Sequence, residues 1–142
     1  MNQYILDTDT CIYWLNGKEK IRQKVQQKGT DNLRITIVTF AELRYGAYKS
    51  QRVAENLTKI DDFIRKVRLL PLDQSAAEKF GKIKADLRSR GQIINDLDIL
   101  IAAITLRYSG VLVTNNTAHF QRIDDLHYEN WLAEPEENNG NR

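Results

Sequence analysis

Short, uninterrupted apolar runs alternate along the chain with longer stretches in which apolar residues return about every three or four positions, and the two periods predict strands and helices in turn. Tyr4-Ile5-Leu6 reads as a first strand, followed by a helical stretch from about Thr10 to Leu15. A basic amphipathic helix from Lys18 to Lys28 puts Ile21 and Val25 on one face and stops at Gly29. Leu33-Arg34-Ile35-Thr36-Ile37-Val38 alternates and is rich in β-branched residues, so it predicts a second strand leading into a helix near Thr39. Leu57, Ile60 and Ile64 mark the inner face of a helix over Arg52 to Lys66. Val67-Arg68-Leu69-Leu70 ends at Pro71 as a third strand, and a helix from Ser75 to about Arg90 halts at Gly91. The most apolar helix starts near Asn95, runs to Tyr108 and ends at Gly110. Val111-Leu112-Val113 then reads as a buried strand and His127-Tyr128-Glu129 as a last short one. Strands alternating with helices predict an α/β fold in which helices cover both faces of a central parallel sheet.

At 142 residues the chain has the length of one domain, enough to bury roughly 70% of the surface an unfolded chain exposes. The domain is expected to span residues 1–132. Beyond it the composition turns polar and aperiodic, Glu134-Pro135-Glu136-Glu137-Asn138-Asn139-Gly140-Asn141-Arg142, which predicts a disordered tail over residues 133–142. The 21 basic and 19 acidic residues leave a formal charge of +2, too small to argue for a nucleic-acid partner by itself, although cations can still gather on one face. Cys11 is the only cysteine, which excludes an internal disulfide framework and a thiolate-rich zinc site and fits a reducing, cytoplasmic setting. The longest apolar run, Ile99 to Ile104, is far short of the ~20 residues that span a bilayer, and the N-terminus lacks a signal-peptide layout, so no membrane association is expected.

Acidic residues stand where the predicted elements begin or end: Asp7 after the first strand, Glu42 after the second, Asp96 and Asp98 at the start of the apolar helix. In an open parallel sheet ligands bind outside the carboxyl ends of the strands, where Asp7 lies. If these acids meet in one cleft, their mutual repulsion calls for a bound divalent cation, and a magnesium- or manganese-dependent phosphodiesterase follows. Each also has a purely structural explanation. Asp7 and Asp9 suit a helix cap. Thr39-Phe40-Ala41-Glu42 has capping-box spacing, as does Ser75-Ala76-Ala77-Glu78, so spacing alone does not make Glu42 catalytic. Asp96 and Asp98 complement a helix dipole, yet Asp98 leads into Ile99-Leu100-Ile101-Ala102-Ala103, where a buried carboxylate needs a cation or several donors. Asn115 and Asn116 end the fourth strand with polar groups able to hold water or a phosphate oxygen, or simply to form a turn. His119 and His127 read as surface residues rather than an acid–base pair, and no Gly-rich phosphate loop appears.

Leu6-Asp7-Thr8-Asp9, Ala41-Glu42-Leu43-Arg44-Tyr45-Gly46, Asp96-Leu97-Asp98-Ile99-Leu100-Ile101-Ala102-Ala103, Val113-Thr114-Asn115-Asn116 and Glu129-Asn130-Trp131, in that order, resemble the successive motifs of the PIN-domain family. More narrowly the chain is similar to the VapC ribonuclease toxins of bacterial toxin–antitoxin pairs, from about Tyr4 to Leu132. The resemblance implies that Asp7 and Asp98 ligate Mg2+, with Mn2+ as a substitute, that Glu42 completes the acidic centre, that Asn116 stands at a fourth polar position and that Asp96 supports a ligand or a second ion. Asn116 and His119 depart from the family pattern, in which acids are common at these places. The resemblance further implies a structured RNA substrate, most often transfer RNA, an antitoxin partner and a homodimer.

Arg44, Lys49 and Arg52 beside Glu42, and Arg88 and Arg90 before Gly91, are candidate RNA contacts, with Tyr45 and Tyr48 able to stack on unpaired bases; the bland alternative is a solvated helix face. Ile12, Tyr13 and Trp14 are candidate exposed apolar residues for the dimer. Two rival functions remain. Asp7-Thr8-Asp9 after a strand also resembles the nucleophile loop of haloacid-dehalogenase-type phosphatases, and a catalytically silent PIN scaffold that binds RNA or antitoxin would need no chemistry from its acids.

Overall fold

β1 (Tyr4–Leu6), buried along its whole length, is the central strand of a five-stranded sheet in a computed structural model that describes residues 2–133. The sheet order is β3-β2-β1-β4-β5, with β2 at Leu33–Thr36, β3 at Arg68–Leu70, β4 at Val111–Val113 and β5 at Tyr128–Glu129. All neighbouring pairs are parallel. Side chains of a strand alternate between faces, so β1 feeds two cores. Ile5 packs with Leu112, Ile101 and Phe120 on one side of the sheet, while Tyr4 and Leu6 pack with Leu33, Ile35 and Val113 on the other. The first core is closed by α5 (Gln74–Ser89) and α6 (Asp96–Arg107), the second by α1 (Thr8–Leu15), α2 (Glu19–Lys28), α3 (Ile37–Tyr48) and α4 (Val53–Ile64). The α/β architecture with both faces covered is the one the strand–helix alternation predicts.

From β1 the chain steps outward through β2 and β3, then crosses back to lay β4 against the other side of β1. That reversal opens a crevice at the carboxyl ends of β1 and β4, the customary ligand position in such sheets. Gly110 makes the β1–β4 approach possible. A Cβ built there would stand 2.6 Å from Ile5 Cδ1 and 3.2 Å from the Gln3 carbonyl oxygen.

The strand-to-helix joints differ from the sequence expectation. Ile37 and Val38, predicted as strand, form the first turn of α3, because the Thr36 hydroxyl accepts the Thr39 N–H at 3.1 Å and caps the helix directly at the strand end. The Asp73 carboxylate does the same for α5, accepting the Ala76 N–H at 2.9 Å. Neither Thr39–Glu42 nor Ser75–Glu78 is therefore a capping box. α1 begins at Thr8 rather than near Thr10, and α7 (Thr117–Phe120) and a single 3-10 turn at Thr30–Asn32 were too short for a periodicity to announce. No helix among the described residues is long and apolar enough to cross a membrane. The tail expected to be disordered lies, apart from Ala133, outside the described residues.

Candidate active site

Asp7 follows the central strand without a connecting residue, and its N–H donates to the Val113 carbonyl at 2.8 Å, which extends the β1–β4 pairing into the crevice. Its Oδ1 accepts the Thr8 N–H at 2.8 Å as the cap of α1, and its Oδ2 accepts the Thr114 hydroxyl at 2.7 Å. The side chain is thus both cap and cleft residue. Only 5% of Asp7 is exposed. Burial above all, with the Asp9 charge next and Asp98 adding to it, pushes its pKa up to about 7, although the Thr114 and Thr8 hydrogen bonds pull the other way.

Asp9, which sequence reasoning treated as a cap, is not one. It lies in the first turn of α1, and its Oδ2 accepts the Asn115 N–H at 3.2 Å across the crevice. Burial raises its pKa, and the charge of Asp98 raises it further. Asp7, Asp9 and Asp98 therefore share one electrostatic environment. The abrupt strand-to-helix turn is what brings Asp9 in, and no feature of the sequence distinguishes that turn from an ordinary cap.

Glu42 projects from α3, the helix after β2, and its Oε1 accepts the Thr8 hydroxyl at 2.5 Å. Thr8 Oγ1 also lies 3.1 Å from the hydroxyl of buried Thr39, so a short chain of hydroxyls ties Glu42 to the residue beside Asp7. Asp98 enters from α6, whose cap is Asn95: the Asn95 Oδ1 accepts the Asp98 N–H at 3.0 Å. Asp98 Oδ2 lies 3.3 Å from Asn95 Nδ2 and 3.1 Å from His119 Nδ1, and the side chain is 15% exposed. Asn116, reaching back from the β4–α7 loop, places Nδ2 2.9 Å from the same His119 nitrogen.

Other candidates are directed elsewhere. Asp96, expected to support a ligand or a second ion, pairs with Lys84 Nζ at 2.9 Å on α5, because two positions along a helix separate it from the face that Asp98 occupies. Arg44 pairs with Asp61 at 2.8 Å and lies over the Phe40 ring, and Arg90 is held by Asp86 and the Arg122 carbonyl. Lys49 sits over the exposed Tyr45 ring at 5.0 Å, and Arg52, largely exposed, makes a long 3.5 Å pair with Glu55. Trp14 and Tyr13 are not exposed apolar residues. Trp14 packs edge-on against Phe63 at 5.0 Å, Tyr13 packs against the second core, and Ile12 alone of the three stays exposed.

Among the described residues no three or more His, Cys, Asp or Glu side chains are gathered closely enough to hold a metal ion by themselves, and no lysine or arginine pairs with Asp7, Asp9 or Glu42. What the cleft has is several carboxylates in mutual repulsion, one of them nearly buried. Hard oxygen donors with unbalanced negative charge fit Mg2+ or Mn2+, with water completing the shell.

The family model of the PIN domain matches residues 4–126. The chain is 36% identical over 132 residues to the "tRNA(fMet)-specific endonuclease VapC" of Salmonella typhimurium, covering 92% of this chain and 99% of that protein. It is 32% identical to "Ribonuclease VapC2" of Rickettsia felis over 130 residues, 90% of this chain and 97% of the relative. Among solved structures it resembles a chain of the DNA-bound VapBC crystal structure from Salmonella typhimurium with a TM-score of 0.87 at 36% identity, covering 92% of this chain and 99% of the other. VapBC2 from Rickettsia felis, bound to a promoter DNA fragment, gives a TM-score of 0.86 at 31% identity, with 90% and 98% covered.

Proposed function

The chain belongs to the PIN-domain family, within it to the VapC group, and from that premise we propose that it is a metal-dependent endoribonuclease toxin that cuts structured RNA and is neutralised by a cognate antitoxin.

 The substrate class is transfer RNA, as named for the Salmonella relative. The observation that supports this most is the state of Asp7: a carboxyl 5% exposed whose pKa burial and neighbouring carboxylates drive to about 7, a charge that a divalent cation would relieve. Asp7 and Asp98 would hold the ion, and Asp9 deepens the negative potential that attracts it. When bound, such an ion supplies an activated water and neutralises charge developing on the phosphate. Glu42, held through Oε1 by Thr8, would have Oε2 left to orient an attacking water and take its proton. Asn116 and the side-chain amide of Asn115 would present polar groups to the RNA at the opposite lip. Attack by water leaves a 5′-phosphate and a 3′-hydroxyl and makes no use of the ribose 2′-hydroxyl, so discrimination for RNA comes from shape and from contacts outside the acids. Lys49, Arg52, Tyr45 and Tyr48 on and after α3 are the exposed groups suited to that task.

An apolar groove lined by Ile12, Leu15, Leu43, Ala47 and Ile60 has Glu42 at its rim. An antitoxin segment laid there would cover the groove and block the acids together, in keeping with relatives solved as VapBC complexes. A homodimer belongs to the same proposal. The test is cleavage of total RNA by antitoxin-free protein with Mg2+, Mn2+ or chelator, followed by sequencing of the new 5′ ends. Cleavage is expected only with a divalent ion and is lost in Asp7→Asn and Asp98→Asn. RNA binding without cleavage under every ion would favour the silent scaffold, and an aspartyl-phosphate on Asp7 would favour the phosphatase.

A further inference from the structure

We propose that His119 is itself a ligand of the cation centre, giving an imidazole nitrogen beside Asp98, so that this chain takes Mn2+ or a later divalent transition ion in preference to Mg2+; this rests on the cation-dependent function above. His119 lies on α7, a helix of only four residues anchored by Phe120, whose side chain is fully buried. That anchor fixes the neighbouring imidazole at the mouth of the cleft, 37% exposed and open to an ion from solution.

Its Nδ1 lies 3.1 Å from Asp98 Oδ2 and 2.9 Å from Asn116 Nδ2. In the ring plane this nitrogen carries either one hydrogen or one lone pair. With a hydrogen it serves Asp98 but opposes the Asn116 amide as placed. With a lone pair it accepts from Asn116 but turns that pair on a carboxylate. One proton does not serve both neighbours. A cation in front of Asp98 removes the clash with the carboxylate, since the oxygen and the nitrogen then both direct lone pairs at positive charge, and the Asn116 amide gives up the nitrogen in exchange. Their separation suits this: adjacent donors around an octahedral ion with bonds of about 2.1 Å lie about 3 Å apart.

The nitrogen also bears on which ion binds. Mg2+ favours an all-oxygen shell and retains its waters, whereas imidazole is a good donor to the later first-row ions, with affinity rising from Mn2+ through Co2+. A carboxylate in place of the imidazole would remove that bias. His127, the only other histidine, is exposed in the turn before β5 and serves as an internal control.

The test uses the full chain, freed of partner and stripped by chelator, with Mn2+ as the probe. Pulsed electron paramagnetic resonance should detect a nitrogen bound directly to Mn2+, and that coupling should vanish in His119→Gln and in His119→Glu but persist in His127→Gln. Competition titrations should show His119→Glu shifting the Mn2+-to-Mg2+ affinity ratio toward Mg2+ by about tenfold or more, the scale of changes in a metal's surroundings. Mn2+ binding that depends on Asp98 yet lacks nitrogen coupling, or coupling that survives His119→Gln, would overturn the role of His119 while leaving the cation centre intact. Absence of any Mn2+ binding sensitive to Asp7→Asn or Asp98→Asn would overturn both.

Discussion

One oxygen of Asp7 caps α1 and the other takes the Thr114 hydroxyl, so the residue is fixed in place whichever protonation state it adopts. The state matters for stability. An ordinary aspartate ionises near 3.8, and Asp7 in the folded chain near 7. Between these values the folded chain keeps a proton that the unfolded chain has released. The stability this group contributes is full below the lower value and is lost as pH rises through the higher one, by at most roughly 4 kcal/mol. Asp9 shifts in the same direction. In chelator, the chain is expected to melt at a lower temperature at about pH 8 than at about pH 5. Asp7→Asn should flatten that dependence and melt higher at about pH 8, even though the proposed function expects it to lose cleavage; thermal unfolding of both proteins across this range checks it. Asp7 and Asp98 were legible as site candidates because each adjoins an element that ought to be buried. Asp9 was not, because a cap and a cleft acid have the same chemistry and only the tight β1–α1 joint tells them apart.

Strands and helices are more legible than their junctions. The apolar runs at Tyr4–Leu6 and Val111–Val113 correspond to β1 and β4, and the most apolar helical stretch to α6. Ile37 and Val38 were misassigned because their β-branching continues the pattern of β2, while one hydroxyl, that of Thr36, turns the chain into α3. Thr36→Ala should lower stability by about 1 kcal/mol, the usual cost of a lost cap, and loosen the start of the helix that carries Glu42. Gly110 imposes a different limit. Its Cβ would meet Ile5, a residue with no exposed surface, and the Gln3 carbonyl, so Gly110→Ala should cost about 1–3 kcal/mol as overpacking at the β1–β4 seam. Urea denaturation of the two variants measures both effects. α7 escaped the sequence altogether, since four residues give no period, and with it went the position of His119.

Across the whole molecule the proposed cation ligands and the candidate RNA contacts stand apart: Asp7, Asp9 and Asp98 face the crevice beyond β1 and β4, while exposed Tyr45, Tyr48, Lys49 and Arg52 lie on and after α3, the helix that also carries Glu42. Replacing Lys49 and Arg52 together by alanine should therefore weaken RNA binding and reduce its salt dependence by up to about two phosphate contacts, with Mn2+ affinity unchanged. Filter binding at several salt concentrations measures the first and cation titration the second. The strand order has a consequence for synthesis. Thr114 and Asn115, which clasp Asp7 and Asp9, stand more than a hundred positions later in the sequence, with separations of 107 and 106. A nascent polypeptide emerging from the ribosome can pair β1 with β2 early, but its cleft has only one wall until β4 clears the exit tunnel and docks. On the function proposed above, a chain still being made would be unable to cut RNA until that second wall closes, which leaves an interval in which an inhibitor can reach the spot.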